Sequence, residues 1–427
     1  MAGGFASLGL FSSNTSVNNE LISITSPAIT YEVVKNLHLD MNYVKKGGMH
    51  GVALYGNTLP FEMRLLDAGA QEGMSLRCTL NPDGSAILSK FQKNTPDGKI
   101  KLEGETKVSK LGGIVSTPLG RINITPNAGY TAPIEEPITI AITKLPMQVA
   151  VEYYSNQVKG DLVDEYAEVI ELVIRDVNVA RAVDILNEIV KVYNQNYIDD
   201  KNKIARATSA FIDERLNVIQ KELGEVDHNI ADYKSSLGSL NLYTDALMQT
   251  GKDDEYEQRI VELTNQLQMT NYLRDFLSSA ENKYKILPIN TGVESKEIET
   301  QIGTYNELLI NRNNLVDQSS TTNPLVQDYD KQLSNMRSAI MEGVSNQIKR
   351  YSNLLKSAQS EQLKAKGEVK SVPGKSLPLI SEESQQKVKE NLYLYLLEKR
   401  EENELPQKFT ADNTRIITPP MGSLKPV

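Results

Sequence analysis

From Ile212 to Leu240, apolar side chains recur alternately four and three residues apart: Ile212, Leu216, Ile219, Leu223, Val226, Ile230, Tyr233, Leu237 and Leu240. This spacing makes one narrow apolar stripe along an α-helix, and such a stripe must be covered by a facing helix. Glu214, Arg215, Asn217, Gln220, Lys221, Glu222 and Glu225 fill the intervening positions, so the other faces suit water. A helix over this stretch is roughly 40 Å long at ~1.5 Å per residue. The pattern continues in Tyr256, Ile260, Leu263, Leu267 and Thr270, and again in Ile298, Ile302, Tyr305 and Leu309. It returns in Val326, Tyr329, Leu333, Met336 and Ile340, then in Ile348, Tyr351 and Leu355. Breaks fall at Thr250-Gly251, at 287–292 and at 318–324, where Asn323 before Pro324 reads as an N-cap with a first-turn proline. The expectation is an extended antiparallel coiled-coil arm, because a bundle core calls for wider stripes.

The flanks read differently. Helices are expected at 17–24 and from Ser26-Pro27, with Ile29, Val33, Val34 and Leu37 on one face. Strands are expected at 52–55, 60–65, 75–80, 85–91, 99–111, 121–125 and 137–143. The pair at 75–80 and 85–91 flanks Asn81-Pro82-Asp83-Gly84, a hairpin turn sequence. Residues 167–174 carry apolar side chains on both alternating sets, which predicts a strand internal to a sheet. From Asn178 the period becomes helical and leads toward the stripe. After breaks near Val372-Pro373-Gly374 and Leu377-Pro378, a last helix is expected from about Ser381 to just before Pro406. Arg415 to Thr418 is a final strand candidate, expected to pair into the sheet built before the arm. The fold class predicted is α+β: a mixed α/β base at 1–200 with a β-rich insertion at about 45–127, a helical arm at 201–370, and a return to the base at 371–427.

With 427 residues, 40% hydrophobic and 24% charged, the chain has the composition of a folded protein of several domains. Its net charge of −9 and lack of a basic stripe with interleaved aromatics argue against nucleic acid as a partner. No apolar run of about 18 residues is present, and the opening residues lack the pattern of a signal peptide.

The order of base, long helices and base resembles the polysaccharide co-polymerases. These are the Wzz-type chain-length determinants and the periplasmic part of Wzc-type bacterial tyrosine autokinases. The resemblance is carried by Leu392-Tyr393-Leu394-Tyr395-Leu396-Leu397-Glu398-Lys399-Arg400-Glu401-Glu402-Asn403-Glu404-Leu405, similar to the segment before the second transmembrane helix of such proteins. Asn413-Thr414-Arg415-Ile416-Ile417 with its following prolines, residues 26–43, and Phe211-Ile212 through Glu214-Arg215-Leu216 are also similar. The autokinase branch is nearer, since the insertion is larger than a simple chain-length determinant needs. The resemblance implies a base proximal to the membrane, on the periplasmic face of the bacterial inner membrane. It also implies anchoring by two transmembrane helices that this sequence does not contain, and self-assembly into a ring, an octamer. Leu397, Arg400, Glu401 and Arg415 are its oligomer-contact candidates. The partners it implies are a polysaccharide polymerase, lipid-linked glycan and an outer-membrane export protein. The function it implies is regulation of chain length in capsular, exopolysaccharide or O-antigen synthesis, with kinase activity, where present, on a separate cytoplasmic domain.

No catalytic site, cofactor site or metal site is expected. Gly374-Lys375-Ser376 ends as a P-loop does, but the motif needs a glycine at 369, which is Val. His38, His50 and His228 lack metal-ligand spacing. Asp253-Asp254-Glu255 and Glu401-Glu402 are neighbours in sequence and diverge on a helix. Cys78 lies in an alternating run, as a packed residue would. A coiled-coil adaptor with an α/β head is the alternative function class.

Overall fold

The computed structural model describes residues 17–47, 51–95, 98–164, 169–237, 253–289, 293, 295–318, 321–366, 377–408 and 412–422. The fold class is α+β, with antiparallel sheets and long helices. The chain divides into two compact units. One comprises Thr15–Tyr197 and Asp412–Val427, and the other includes Ile198–Ala411.

The α/β unit has two cores. The first lies between a seven-stranded and a three-stranded sheet. The larger sheet orders β2 (Val52–Leu54), β1 (Met41–Lys45), β10 (Ile138–Lys144), β4 (Gly73–Leu80), β5 (Ala86–Thr95) and β6 (Gly98–Leu102), with β7 (Thr106–Val108) also paired to β5. The smaller orders β3 (Phe61–Leu65), β9 (Gly120–Pro126) and β8 (Gly113–Thr117). Alternation decides which face is inward. Leu76, Cys78, Leu80, Leu88, Ile140 and Ile142 of one sheet meet Phe61, Met63, Ile122 and Ile124 of the other. Tyr43 ties the layers together: its hydroxyl accepts from the Met63 backbone N–H at 3.0 Å and donates to the Met63 carbonyl at 3.2 Å. The expected turn at 81–84 forms, with Asn81 N donating to Ser85 O at 2.9 Å and Gly84 held at φ 79°, where glycine has no steric penalty. The β-rich part is wider than 45–127, because β1 and β10 complete its larger sheet. The stretch 99–111 is two strands, β6 and β7, pairing with different parts of β5.

The second core gathers α1 (Val17–Ile24), α2 (Pro27–Asn36), α3 (Met147–Gln157), the first turns of α4 (Val179–Leu237) and a two-stranded sheet of β11 (Val158–Leu162) and β12 (Ile170–Ile174). Ser26 caps α2 with its hydroxyl toward Ile29 N, and Pro27 begins the helix. The strand β12 is expected inside a sheet, yet among the described residues β11 is its one neighbour. Its apolar side chains Ile170, Leu172 and Ile174 pack on the helices, while Val173 is exposed. Asn178 caps the start of α4 through Arg181 N, and Arg181 forms a two-pronged buried pair with Asp176 at 2.7 and 2.8 Å.

Residues 412–422 belong to this unit, but Arg415 to Thr418 form no strand. A side chain replaces the expected ladder. The Asn194 amide donates to Thr414 O at 3.1 Å and accepts from Thr414 N at 3.0 Å, doing for one residue what a neighbouring strand would do.

The helical unit contains the rest of α4 with α5 (Asp253–Ser278), α6 (Lys296–Gln318), α7 (Pro324–Lys366) and α8 (Leu377–Lys408). Asn323 caps α7 as expected, its side chain accepting from Leu325 N at 3.0 Å. Helix α8 starts earlier than predicted and runs through Pro406 to Lys408. A proline this near the end removes one backbone bond and leaves the rest of the helix intact. Expected in the returning part of the base, α8 packs instead with α4 and α5 through Leu392 and Leu396. A second helical core joins α5, α6 and α7 around Leu273, Leu277, Ile302, Tyr305, Leu309, Leu333 and Ile340.

The connection from α5 to α6 opens with a 3-10 turn at Ala280–Asn282, and side chains of other helices partner its backbone beyond that. Buried Asn306 accepts from Leu287 N and donates to Leu287 O, both at 2.8 Å. Thr208 of α4 accepts from Ile289 N at 3.1 Å. Arg337 donates to the carbonyls of Leu277 and Asn282, closing the end of α5 with a cation where the helix dipole is negative.

Two measurements check this account. Asn306→Ala orphans both polar groups of Leu287 and is expected to cost on the order of 2–4 kcal/mol in calorimetric unfolding. An unchanged midpoint would show that Leu287 does not depend on this side chain. Burial pushes the Cys78 thiol up to about 12. A thiol reagent at pH 8 should therefore label it at the rate of unfolding, since the thiolate is the reactive form.

Candidate functional site

The residues singled out from the sequence fall in two places. Leu397, Arg400 and Glu401 lie on α8 in the helical unit, and Arg415 is exposed in the tail of the α/β unit.

Helices α4 and α8 run antiparallel, as their polar contacts show. Asn403 donates to Ala205 O and to Ser209 Oγ, each at 2.8 Å. Farther along come Arg400 with Asp213 at 3.7 Å, Lys389 with Glu222, Gln386 with Asp227 at 2.6 Å, and Lys234 with Glu383 at 3.1 Å. The numbers rise on one helix as they fall on the other. Under this ladder lies the stripe. Ile212, Leu216, Ile219, Val226 and Ile230 are buried and Leu223 is partly so. Tyr233 is 39% exposed, so the covered stretch of the stripe gives way there. Leu237 ends α4, and its side chain lies outside the described residues, as does Leu240.

Two helices cover the stripe: Met269 of α5 and Leu392 and Leu396 of α8 share its core. Phe211 meets Phe276 of α5 edge-on at 5.7 Å. Arg215 stacks over Phe211 and over Tyr272, at 5.5 and 4.7 Å from the ring centres. Burial raises the Tyr272 hydroxyl above its ordinary value, with Glu222 acting in the same direction.

Among the contact candidates, Leu397 packs against this core, and Arg400 is engaged within its own chain by Asp213 and Glu404. Glu401 is exposed. It falls on an outer stripe with Glu390, Leu394 and Glu398, spaced four, four and three residues apart. Leu394, 61% exposed, was not foreseen as a surface residue, because it sits in an unbroken Leu-Tyr run whose outward member only the packing reveals.

The remaining sequence features bring no chemistry together. His38 Nε2 lies 3.1 Å from the Arg64 guanidinium, and His228 is exposed 3.5 Å from Asp232. His50, the sequence around Gly374-Lys375-Ser376, and the side chains of Asp253-Asp254-Glu255 lie outside the described residues. Among the described residues, no group of three or more His, Cys, Asp or Glu is placed to hold a metal ion, and no helix is long and apolar enough to cross a membrane. No protein-family model matches the chain, and no curated protein matches it significantly.

The buried Asn403 amide is the polar register mark of the α4–α8 pair. Asn403→Leu keeps the volume close while removing both bonds. It should lower the unfolding free energy by about 1–3 kcal/mol, the cost of leaving buried partners unsatisfied. The exposed change Glu401→Gln should move it by less than about 0.5 kcal/mol in the same denaturant titration.

Proposed function

We propose that this chain is the periplasmic domain of a polysaccharide co-polymerase, which assembles with copies of itself and sets the length of a capsular, exopolysaccharide or O-antigen chain. The observation that carries this reading is topological. A helical unit at Ile198–Ala411 is inserted between two parts of an α/β unit, and residues 412–422 return to that unit through Asn194 and Thr414. The segments of family resemblance fall in both units, in α2 and the tail of the α/β unit and in α4 around Phe211 to Leu216 and α8 of the helical unit.

In this reading the helical unit is an antiparallel coiled-coil arm, and the α/β unit is a base beside the inner membrane. The native protein is anchored there by transmembrane helices and forms an octameric ring. Chain length is set by geometry while a separate polymerase makes the bonds, on lipid-linked glycan that passes to an outer-membrane export protein. The chain itself is not an enzyme. The outer stripe of α8 supplies a contact face, with Leu394 as its apolar centre and Glu398 and Glu401 beside it. Arg400, occupied by Asp213, takes a smaller share than its sequence position suggests.

The experiment is a pair of variants in cells whose own copy has been deleted. Ile230→Asp places a carboxylate at the far part of the stripe, where an unpaired buried charge costs several kcal/mol. The expected result is a shifted or broadened polymer-length distribution with sugar units still made and protein level unchanged. An unchanged distribution from a protein whose α4–α8 contact is shown to be open would remove the arm as the length-setting element and favour an adaptor. Leu394→Asp should leave folding intact and lower self-association in light scattering of the full-length, membrane-anchored protein.

A further inference from the structure

The larger sheet of the α/β unit has an outward face whose chemistry differs from that of the rest of the chain. Inward positions of its strands fill the core, so the alternate positions point away from it. The strand registers arrange them in rows. One row runs Asn42, Thr143, Ser75, Gln92 and Lys101 across five strands. Another runs Thr139, Thr79, Ile87 and Lys107. Between them Arg77 stands beside Ser89. None of these side chains is buried.

Three properties stand out. No outward position of these strands carries a carboxylate, in a chain whose net charge is −9. Cations are present at Arg77, Lys101 and Lys107, and among the described residues none of them is paired to an acid. The rest is dominated by hydroxyls and amides: Thr79 and Thr139 oxygens lie 3.3 Å apart, and Ser75 reaches Gln92 at 3.5 Å. At about 4.8 Å between strands, the five-residue row is roughly 19 Å long. That is an extended, donor-rich track rather than a pocket.

We propose that this face binds a linear glycan bearing carboxylate groups, laid along the rows. The inference rests on the polysaccharide reading above and adds to it a binding surface and a polymer class. The guanidinium of Arg77 is a two-pronged partner for a uronate carboxylate, and Lys101 and Lys107 add point charges. Hydroxyl and amide side chains exchange hydrogen bonds with sugar hydroxyls. A neutral glycan is a poorer fit, because no aromatic ring on the face offers an apolar surface to stack on. Single-stranded nucleic acid is disfavoured on the same ground, since its binding depends on base stacking.

The test is titration of the whole chain with polygalacturonate oligomers by calorimetry, at low and at physiological salt. Binding is expected, weakening as salt rises. The triple change Arg77→Gln, Lys101→Gln and Lys107→Gln should weaken it by about tenfold or more. Thr143→Glu, which sets a carboxylate in the middle of a row, should weaken it as well. Lys331→Gln, Lys349→Gln and Lys356→Gln, which remove the same charge from the helical unit, should leave it intact. Thermal unfolding of each variant establishes that the fold is kept. Dextran or poly-dT bound as tightly as polygalacturonate would overturn the proposal. So would equal binding by the first triple variant, an equal loss in the control triple, or no binding at all. Because Ile230→Asp is scored by polymer length in cells, the co-polymerase reading stands or falls separately from this surface.

Discussion

The apolar stripe of α4 has to be covered, and α5 and α8 are arranged to cover it. A stripe this narrow gains little from one neighbour unless the register is fixed. Here α5 follows within the same stretch of chain, whereas α8 arrives only after α6 and α7 have been completed. The contact between Asn403 and Ala205 spans 198 residues. Closing such a loop costs only slowly more entropy as it lengthens, but it slows folding, because the helix that seals the stripe is the last to be made. Polar groups then choose the alignment. Asn403, Gln386, Lys389 and Arg400 each meet a partner on α4 at one register.

Much of this was legible in the sequence, for reasons that can be stated residue by residue. Helix and strand periods are local properties, so the stripe from Ile212, the cap at Ser26 and the cap at Asn323 declare themselves. So does the turn at Asn81-Pro82-Asp83-Gly84, whose conformational demands are met within four residues. What failed was set by distant packing. Residues 167–174 look internal because both alternating sets are partly apolar, yet the structure gives β12 a single neighbour and leaves Val173 in solvent. Arg415 to Thr418 has strand composition, but the partner waiting for the tail is the amide of Asn194. Helix α3 and strands β1, β8 and β11 left no clear periodic trace, being short or only partly buried.

The candidate site was less legible than the fold. Leu397, Arg400, Glu401 and Arg415 were named through family resemblance, and the structure gives them unequal surroundings: one packed, one ion-paired within the chain, two exposed. The outward rows of the larger sheet had no sequence signature at all, because Asn42, Ser75, Gln92, Lys101 and Thr143 are scattered over some hundred residues and become neighbours only through strand register. A property such as the absence of carboxylates cannot be seen until one knows which residues share the face.

The Asn194 amide bears on which sequences this fold can tolerate. It presents a donor and an acceptor to the N–H and C=O of one residue, so it mimics a backbone rather than a side chain. Aspartate has the same outline but offers two acceptors, one of which would face the Thr414 carbonyl. Glutamine carries both groups on a stem one methylene too long, and serine is too short to span the pair. Among the genetically encoded residues, position 194 is thus close to a single-letter site. Drift there would be felt first as a tail that has lost its one-residue partner.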